Sequence, residues 1–553
     1  MTWQQIYDPF NNMIISTLLA AIPVVVMLGA LGFFHIKAHI AAGMGLVAAL
    51  LVAVFAYGMP ADMAGRAAML GAFTGLLPIG WIVLTIIFLH QLTEQNGSFK
   101  VLQDSLSGIT EDRRIQLLLI AFCFGAFFEG AAGFGTPVAV TAAILIGLGF
   151  SPLAASGLSL IANTAPVAFG ALGTPVITLA QVHGYDLQEV TAMIGRQLPF
   201  FSLLVPFWLI WAFAGRKGMM EIWPAILVTG VSFAVPQFLV SNYMGPELVD
   251  IIAAIVSMVS LVAFLRVWQP RKVWTSPALR GRDPSADEAK PPQPVVKHSK
   301  EALIAAWTPW AILSVFVFIW GLPPVKAWLN GLFSPKFPID GLHNLILKVP
   351  PVVPAPHPEA AVYTLNLLSA TGTGILAAAI VSALVMKYSP VAIVRTFFKT
   401  LWMVKYSLLT IVLMLALGTL TRFSGTDTTL GLAFANTGVL YPFFGTLMGW
   451  IGVALTGSDT ASNVLFGGMQ KVAAEQLGLS PNLMGAANSS GGVMGKMIDA
   501  QSIVVASTAT RWFNKEGEIL RYVFFHSIAL ACLVGLYVTM QAYVWPFTLT
   551  VVR

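Results

Sequence analysis

The sequence predicts an all-α polytopic membrane protein, and three observations support this fold class. The chain of 553 residues is 57% hydrophobic and only 10% charged, whereas a soluble domain is about 25% charged. Its apolar residues form many runs of about 20 residues, the length at which a helix crosses a bilayer. Most of the excess behind the net charge of +6 lies in short loops between these runs, as in proteins whose basic loops stay in the cytoplasm. We therefore expect a surrounding lipid bilayer and no nucleic-acid partner.

The apolar runs predict about 12–14 membrane segments. The residues before the first run lack the basic start of a signal peptide, so this run is predicted to be a transmembrane helix. The runs fall near 13–34, 38–57, 67–92, 115–150, 152–180, 191–214, 222–240, 245–265, 302–322, 361–386, 401–420, 430–480, 482–508 and 519–545.

Two polar connections interrupt this pattern. Residues 267–300 carry seven bases, three acids and several prolines, which predicts a basic, poorly ordered cytoplasmic linker. The linker separates a first membrane half, 1–266, from a second half, 301–553. Within the second half, the Pro-rich residues 323–360 predict an external loop, either ordered or containing a short amphipathic element.

Residues 115–150 predict a hairpin that does not cross the membrane. Counting outward from the linker, both ends of this stretch are expected on the cytoplasmic side. Its apolar arms, 115–128 and 138–150, have about 14 residues each and reach roughly 20 Å, short of the ~30 Å hydrocarbon core. A re-entrant hairpin with EGAAGFGTP (129–137) at its tip satisfies both constraints, because irregular backbone at membrane depth occurs only where protein or a cavity surrounds it.

Both halves contain the same four features in the same order: a Gly-rich tip, a return arm, an LGxSP turn and an interrupted helix. Hairpin 441–479 is expected to enter from outside, opposite to hairpin 115–150. The sequence therefore predicts two inverted repeats, each with a re-entrant helical hairpin and a broken helix, as in secondary transporters. The alternative is two ordinary, tightly packed helix pairs. The matching stretches are 125–137, 148–152 and 163–175 in the first half and 452–463, 477–481 and 488–496 in the second.

Glu129 and Asp459 occupy equivalent places in the two predicted tips. An ionisable residue within a membrane segment indicates a functional role. Burial disfavours the charged form of a carboxyl group, so such a residue can take up and release a proton. We predict both as proton-coupling residues; the alternative is that each caps a half-helix or pairs with a base.

Polar residues beside the helix breaks predict a binding site for a small anion. Half-helix N-termini hold anions through their N–H groups, and neutral donors bind weakly enough for release. Lys496 is a candidate for a substrate carboxylate, or it neutralises Asp459 or Asp499. The alternative for the polar residues is that they only satisfy backbone groups freed by the breaks. The substrate-binding candidates are Asn163, Thr164, Ser458, Thr460, Ser462, Asn463, Asn488, Ser489 and Lys496.

No motif indicates an enzyme, so we expect no catalytic residue, no cofactor and no metal. The sequence has no HExxH, no GxSxG and no Cys–His cluster. His90 and His526 are interpreted as packed residues, with a proton relay as the alternative. Arg196 is predicted near a helix end with its head in the interface. Arg422 and Asp427 are assigned to an external loop without a special role.

Several long motifs resemble the lactate permease family. They include FCFGAFFEGAAGFGTPVAVTAAILIGLGF, IANTAPVAFGALGTP, LTGSDTASN and GGVMGKM. The similarity covers nearly the whole chain and is weakest in 270–360. It implies a bacterial inner-membrane symporter of L-lactate and a proton, with D-lactate and glycolate as further substrates. It also implies membership of a wider ion-transporter superfamily with inverted repeats, elevator motion and many dimers, so a homodimer is among the expected assemblies.

These expectations combine into one mechanism with three rivals. A small monocarboxylate sits between the hairpin tips and the broken helices, and protonation of Glu129 or Asp459 offsets its charge. The rivals are a sodium-coupled carboxylate carrier, an anion channel and an intramembrane enzyme. Substrate range, coupling stoichiometry and the identity of the proton-carrying acid stay open at this point.

Overall fold

The computed structural model describes residues 2–552 except 33, 35, 132, 134, 135, 282, 293–295 and 514. Most of the described chain is α-helical, which confirms the predicted all-α fold class. In the first half the α-helices are α1 Met13–Gly32, α2 Ala38–Leu51, α3 Ala61–Thr74, α4 Trp81–Gln95, α5 Ser98–Ser107, α6 Arg113–Gln116, α7 Gly125–Ala131, α8 Thr136–Gly147, α9 Pro152–Ala162, α10 Thr174–His183, α11 Leu187–Glu221, α12 Trp223–Tyr243 and α13 Val249–Leu265.

The second half continues the helical pattern and adds a little β-structure. Its α-helices are α14 Lys300–Gly321, α15 Pro323–Leu332, α16 Thr371–Val385, α17 Pro390–Ser424, α18 Thr426–Ala435, α19 Tyr441–Thr456, α20 Asp459–Gln476, α21 Pro481–Gly495, α22 Ala500–Ala509 and α23 Glu516–Tyr543. The short strands of the described chain are β1 Trp3–Gln4, β2 Lys336–Pro338, β3 Ile346–Lys348, β4 His357–Pro358 and β5 Val362–Thr364.

The helices are those of a multi-pass membrane protein. Eight helical stretches in the described chain are long and apolar enough to cross a membrane. The count becomes nine if α18 and α19, which bend by 111° at their junction, form one span. The sequence predicted about 12–14 membrane segments. Several of these are shorter apolar helices, including α8 and α9 with 12 and 11 residues, which are too short to cross alone.

Residues 113–147 form a helical hairpin, called the first hairpin below. Its first arm runs continuously from Arg113 to Ala131 through a π-helical segment, Leu117–Phe124, and is fully buried. Its second arm, α8, packs antiparallel against it. The predicted length of about 14 residues for the first arm was therefore wrong: the arm has 19 residues, because FFEGA stays helical. The tip residues 132, 134 and 135 lie outside the described residues.

Both ends of the first hairpin meet the basic linker on one side of the fold. The Arg113 N–H donates to the Trp274 carbonyl at 3.0 Å, and the Ser151 N–H donates to the Pro277 carbonyl at 2.9 Å. The hairpin therefore returns to the side on which it starts. Whether that side is cytoplasmic stays a prediction.

The described part of the linker is ordered, so the expectation of a poorly ordered segment was wrong. Buried Arg114 forms ion pairs with Asp112 at 2.7 Å and with Glu221 at 2.8 Å, and it donates to the Lys272 carbonyl at 2.8 Å. Asp283 accepts a hydrogen bond from Ser151 at 2.6 Å. The linker's polar groups are thus matched to specific partners on the helical core.

Helices α19 and α20 form the second hairpin. They meet at Gly457, whose φ of +73° is a left-handed conformation that glycine adopts without strain. The Tyr441 hydroxyl donates to Gln470 on the opposite arm at 2.6 Å, so the two arms run side by side. The predicted hairpin 441–479 thus matches two helices of 16 and 18 residues.

The two LGxSP turns have the same local geometry. Gly149 (φ +87°) and Gly478 (φ +67°) each place a left-handed residue between two helices. Ser151 and Ser480 are then the N-cap residues, each followed by a proline at the first helical position. Proline suits that position because its missing N–H would have no helical partner.

A broken helix follows each turn. In the first, α9 ends at Ala162 and α10 begins at Thr174, and residues 163–173 between them are called the first break. In the second, residues 496–499 separate α21 from α22 and are called the second break. The sequence predicted the second break within 488–496, and this was wrong for Asn488 to Gly495, which remain helical.

The Pro-rich region 323–360 is ordered and contains a short amphipathic helix, α15. The sequence had predicted either an ordered loop or a short amphipathic element, and the region contains both. Strand β3 pairs in parallel with β1 and antiparallel with β4, which attaches the N-terminus to this loop. Strand β2 pairs antiparallel with β5.

Glu359 anchors this loop to the end of α17. Its carboxylate is buried and forms ion pairs with Arg422 and, at 3.0 Å, with Lys348. Burial raises the pKa of Glu359, but the two bases outweigh burial and hold this pKa below its usual value. Arg422, for which no special role was predicted, is therefore a structural anchor.

We expect the replacement Glu359→Gln to lower the melting temperature at pH 7, because two half-buried bases lose their partner, at about 1–2 kcal/mol. A lowered folded-state pKa adds stability above the unfolded-state pKa, about 4.3, and loses it as the pH falls through the folded-state value. The difference in melting temperature between wild type and variant should therefore shrink as the pH is lowered below about 4.3. Thermal unfolding in detergent measures it, and a pH-independent difference would contradict the assignment.

Candidate functional site

A cavity of about 160 Å³, called the tip cavity, lies where both hairpins meet both helix breaks. The first hairpin contributes Glu129, and the second contributes residues 456–461. The first break and the start of α10 contribute residues 170–175, and the second break contributes Lys496. Helix α17 forms a further wall. Elements that are far apart in sequence thus converge on one small space.

The N-terminus of α20 faces the tip cavity. Ser458 is its N-cap residue, and its hydroxyl accepts the N–H of Ala461 at 3.3 Å. The Thr456 hydroxyl accepts the N–H of Ser458 at 3.2 Å. The first N–H groups of a helix lack partners within the helix and carry partial positive charge. This end of α20 can therefore bind an anion.

Lys496 connects the second break to the second tip. Its ammonium donates to the Gly457 carbonyl at 2.6 Å and lies 3.5 Å from the Asp499 carboxylate. Asp499 also caps α22 by accepting the Ser502 N–H at 2.8 Å. Of the two acids that Lys496 was predicted to neutralise, it forms an ion pair with Asp499 and not with Asp459. Because Lys496 also lines the cavity, its role in substrate binding stays a prediction.

The two predicted proton-coupling acids both line the tip cavity. Glu129 is 5% exposed, and its Oε2 has no hydrogen-bond partner among the described residues. Asp459 is 3% exposed; its Oδ2 accepts from Asn463 at 3.3 Å, while its Oδ1 has no described partner. A buried carboxylate with unsatisfied oxygens costs several kcal/mol if it stays charged. Protonation is therefore favoured in this conformation for both.

A buried polar network lies behind the cavity wall, between α20 and α21. The Asn463 amide donates to Ser489 at 2.7 Å, and its oxygen accepts from Asn488 at 2.9 Å. Asn488 also donates to Ser462 at 3.3 Å and accepts from Gln470 at 3.1 Å. None of these side chains lines the tip cavity, so here they hold α20 against α21.

Asn163 and Thr164 mark the start of the first break and likewise do not line the tip cavity. The Thr164 hydroxyl donates to the Ile161 carbonyl at 2.8 Å, which satisfies a backbone group freed by the end of α9. Asn163 is 2% exposed, and neither of its side-chain polar atoms has a partner among the described residues. Of the predicted residues, the structure therefore brings together Glu129, Ser458, Asp459, Thr460 and Lys496 at the cavity.

Asp250 is a buried acid that is not among the predicted site residues. It is in the first turn of α13, is 2% exposed, and neither of its carboxyl oxygens has a partner in the described chain. The helix N-terminus favours its charge by about 1 kcal/mol, less than the several kcal/mol that an unpaired buried carboxylate costs. Its position inside the apolar run 245–265 is the sequence signal that marks it as a buried acid.

The remaining charged and aromatic candidates have structural contacts. His526 accepts a hydrogen bond from Trp208 at 3.0 Å, and His90 packs edge-on against Phe99. Arg196 lies within α11 and donates to Asn242 at 2.9 Å and to the Thr550 carbonyl at 3.1 Å, so its head is bound by protein groups.

Asp427 is not in an external loop, as the sequence had suggested, but buried in the first turn of α18, where it accepts the N–H of Thr428 at 2.7 Å. The loop assignment failed because the segment after Gly425 returns into the protein as a helix.

Comparison with known proteins identifies close relatives of the whole chain. Residues 16–545 match the family model described as L-lactate permease. The chain is 47% identical to "Glycolate permease GlcA" of Escherichia coli, over 99% of both chains. It is 44% identical to the L-lactate permease of Salmonella typhimurium over 98% of both, and 42% identical to that of Bacillus subtilis over 99% of this chain and 100% of the relative. Among solved structures, the Alcanivorax borkumensis YdaH transporter aligns with a TM-score of 0.43 and 14% identity, over 85% of this chain and 86% of that one.

Proposed function

This chain belongs to the L-lactate permease family, and we propose that it carries L-lactate together with a proton across the bacterial inner membrane. D-lactate and glycolate share the carboxylate and the 2-hydroxyl group and are proposed as further substrates. The relatives at 47% and 44% identity, named for glycolate and for L-lactate, support this substrate class. The family is one of transporters, and no catalytic step is proposed.

The composition of the tip cavity is the observation that carries the proposal. One small space of about 160 Å³ holds a lysine, two carboxyl groups and a helix N-terminus. A lysine and a helix N-terminus suit a substrate carboxylate. Two acids that are favoured as neutral groups suit a proton that travels with it. The volume suits a substrate of a few non-hydrogen atoms rather than a large anion.

In the proposed binding mode, the substrate carboxylate lies between the first turn of α20 and the Lys496 ammonium. Its 2-hydroxyl bonds to Ser458 or Thr460, whose side chains belong to the same cavity. These donors are mostly neutral, so the substrate is held weakly enough to leave on the other side. Lys496 already bonds to Gly457 and Asp499, so the substrate carboxylate would compete with these two partners for the ammonium group.

The proton in the proposed cycle is carried by Glu129 or Asp459. Lactate brings one negative charge into a site with little solvent, and one proton on either acid offsets it. The pair then crosses without net charge. We propose that the two hairpins and the broken helices move together against the other helices, since the tip cavity lies between them and α17.

Reconstitution into liposomes tests the proposal. We expect an imposed inward proton gradient to drive accumulation of labelled lactate and glycolate, with acetate and succinate competing weakly because acetate lacks the hydroxyl and succinate adds a charge. Accumulation that needs a sodium gradient and ignores the pH gradient would replace proton coupling by sodium coupling. Flux that never exceeds equilibrium would indicate a channel and overturn the proposal.

A further inference from the structure

Asp250, in the first turn of α13, directly follows a segment that lines a second cavity. This second cavity, called the outer cavity, has a volume of about 700 Å³ and is lined by Pro246, Glu247 and Leu248. Its walls include Pro323 and Lys326, which belong to the Pro-rich region that the sequence predicts to be external. Leu248 is two residues before Asp250 in the chain, so the outer cavity ends next to this buried acid.

On its other side, Asp250 packs against the residue that follows Glu129. A β-carbon added to Gly130 would lie 2.8 Å from the Asp250 β-carbon and 3.2 Å from the Ile251 nitrogen. Only a glycine allows α7 to approach α13 this closely. Glu129, which precedes Gly130 in the chain, lines the tip cavity. The buried acid Asp250 is thus packed against Gly130, the chain neighbour of Glu129, and is two residues from Leu248 of the outer cavity.

The surroundings of Asp250 do not neutralise a charge on it. The segments packed against α13 are α12, α7, Leu117–Phe124 and Ala171–Gly173, and none of them contains a lysine or arginine. Their titratable groups are Glu129, the Cys123 thiol, which bonds to Ser257 at 3.3 Å, and the exposed Tyr243. In the outer cavity, Lys326 lies 3.9 Å from Glu247, and Asp186 is the other acid.

We propose that Asp250 is a second proton-carrying residue, which passes the coupling proton between the outer cavity and Glu129. In one step, protonated Asp250 gives its proton to the Glu129 carboxylate, so Glu129 becomes neutral and Asp250 becomes the carboxylate. Water in the outer cavity then returns a proton to Asp250. The proposal rests on proton-coupled lactate transport and adds the route by which the proton reaches the site.

The test compares Asp250→Asn with wild type in liposomes that contain a pH-sensitive dye. Two rates are measured: lactate-driven proton entry, and exchange of labelled for unlabelled lactate at equal pH. We expect the variant to keep exchange within about twofold and to lose proton entry by roughly tenfold or more. Exchange needs only the substrate site and a folded protein, so its retention shows that the variant folds and binds. Asp62→Asn, an exposed acid on α3 that pairs with Arg66 and lines neither cavity, is the matched control and should behave as wild type.

Each of the other possible results contradicts a named part of the proposal. Wild-type proton entry in Asp250→Asn would overturn the relay. Loss of exchange as well would overturn it too, because Asp250 would then support the substrate site itself. If the wild-type protein exchanges lactate but moves no protons with it, the proposed proton coupling itself is wrong. The wild-type measurement therefore distinguishes this result from one in which only the role of Asp250 is wrong.

Discussion

Replacing Lys496 with glutamine is expected to raise the KM for lactate by about 10–100-fold. A hydrogen bond to a charged group contributes about 1.5–3 kcal/mol, and a tenfold change in affinity corresponds to about 1.4 kcal/mol. In the proposed binding mode Lys496 supplies the cavity's formal positive charge opposite the substrate carboxylate. Initial uptake rates in liposomes over a range of lactate concentrations measure the effect.

Two further variants separate substrate binding from charge neutralisation. Lys496→Gln leaves Asp499 without its ion pair, so the double variant Lys496→Gln with Asp499→Asn removes both charges. If Lys496 only neutralises Asp499, the double variant recovers a wild-type KM, which would contradict a role in binding. Lys471→Gln is the matched control: this lysine also donates to backbone carbonyls, those of His183 and Gly184, but lies outside the tip cavity.

Replacing the tip acids with their amides is expected to uncouple transport from the proton gradient. The two variants are Glu129→Gln and Asp459→Asn, and one of the two acids is proposed to carry the proton. In the variant that replaces this acid, we expect accumulation driven by a pH gradient to fall by roughly 100-fold, while lactate exchange at equal pH persists. The variant that replaces the other acid should retain coupling, so the comparison identifies the proton-carrying acid.

The matched control for this pair is Asp62→Asn, an exposed acid on α3 that pairs with Arg66 at 2.9 Å. It should accumulate lactate as the wild type does. Unchanged accumulation in both tip variants would contradict the assignment of the coupling proton to this cavity. Loss of exchange in both would instead assign the two acids to substrate binding.

The local features of the fold followed from particular sequence patterns. Each LGxSP motif combines a glycine that tolerates positive φ, a serine at the N-cap position and a proline suited to the first helical turn, although only Ser151 makes the side-chain capping bond. Because these preferences act over a few residues, both turns and the helices after them could be placed in advance. The second tip was predictable for the same reason, since Gly457 and Ser458 end one helix and cap the next.

Other features depended on contacts that no local pattern encodes. The first arm extends through FFEGA because its helix is buried on all sides, although three glycines nearby suggested an earlier end. Helix α21 likewise continues through Asn488, Ser489 and Ser490, whose polar groups lie among side chains of α20. The linker is held in place because its carbonyl groups and Asp283 accept hydrogen bonds from Arg113, Arg114 and Ser151 of the helical core. Each departure has one cause: packing against distant segments outweighed a weak local preference.

The sequence by itself determined the class of protein, the two hairpins and the two LGxSP turns. It did so because bilayer length, charge distribution and glycine–proline chemistry are properties of short stretches. Only the tertiary structure decided which polar residues line the cavity and which support it from behind. It alone brought Asp250 beside Gly130, about 120 residues away in the chain, because the environment of a buried carboxyl group is set by the helices that surround it.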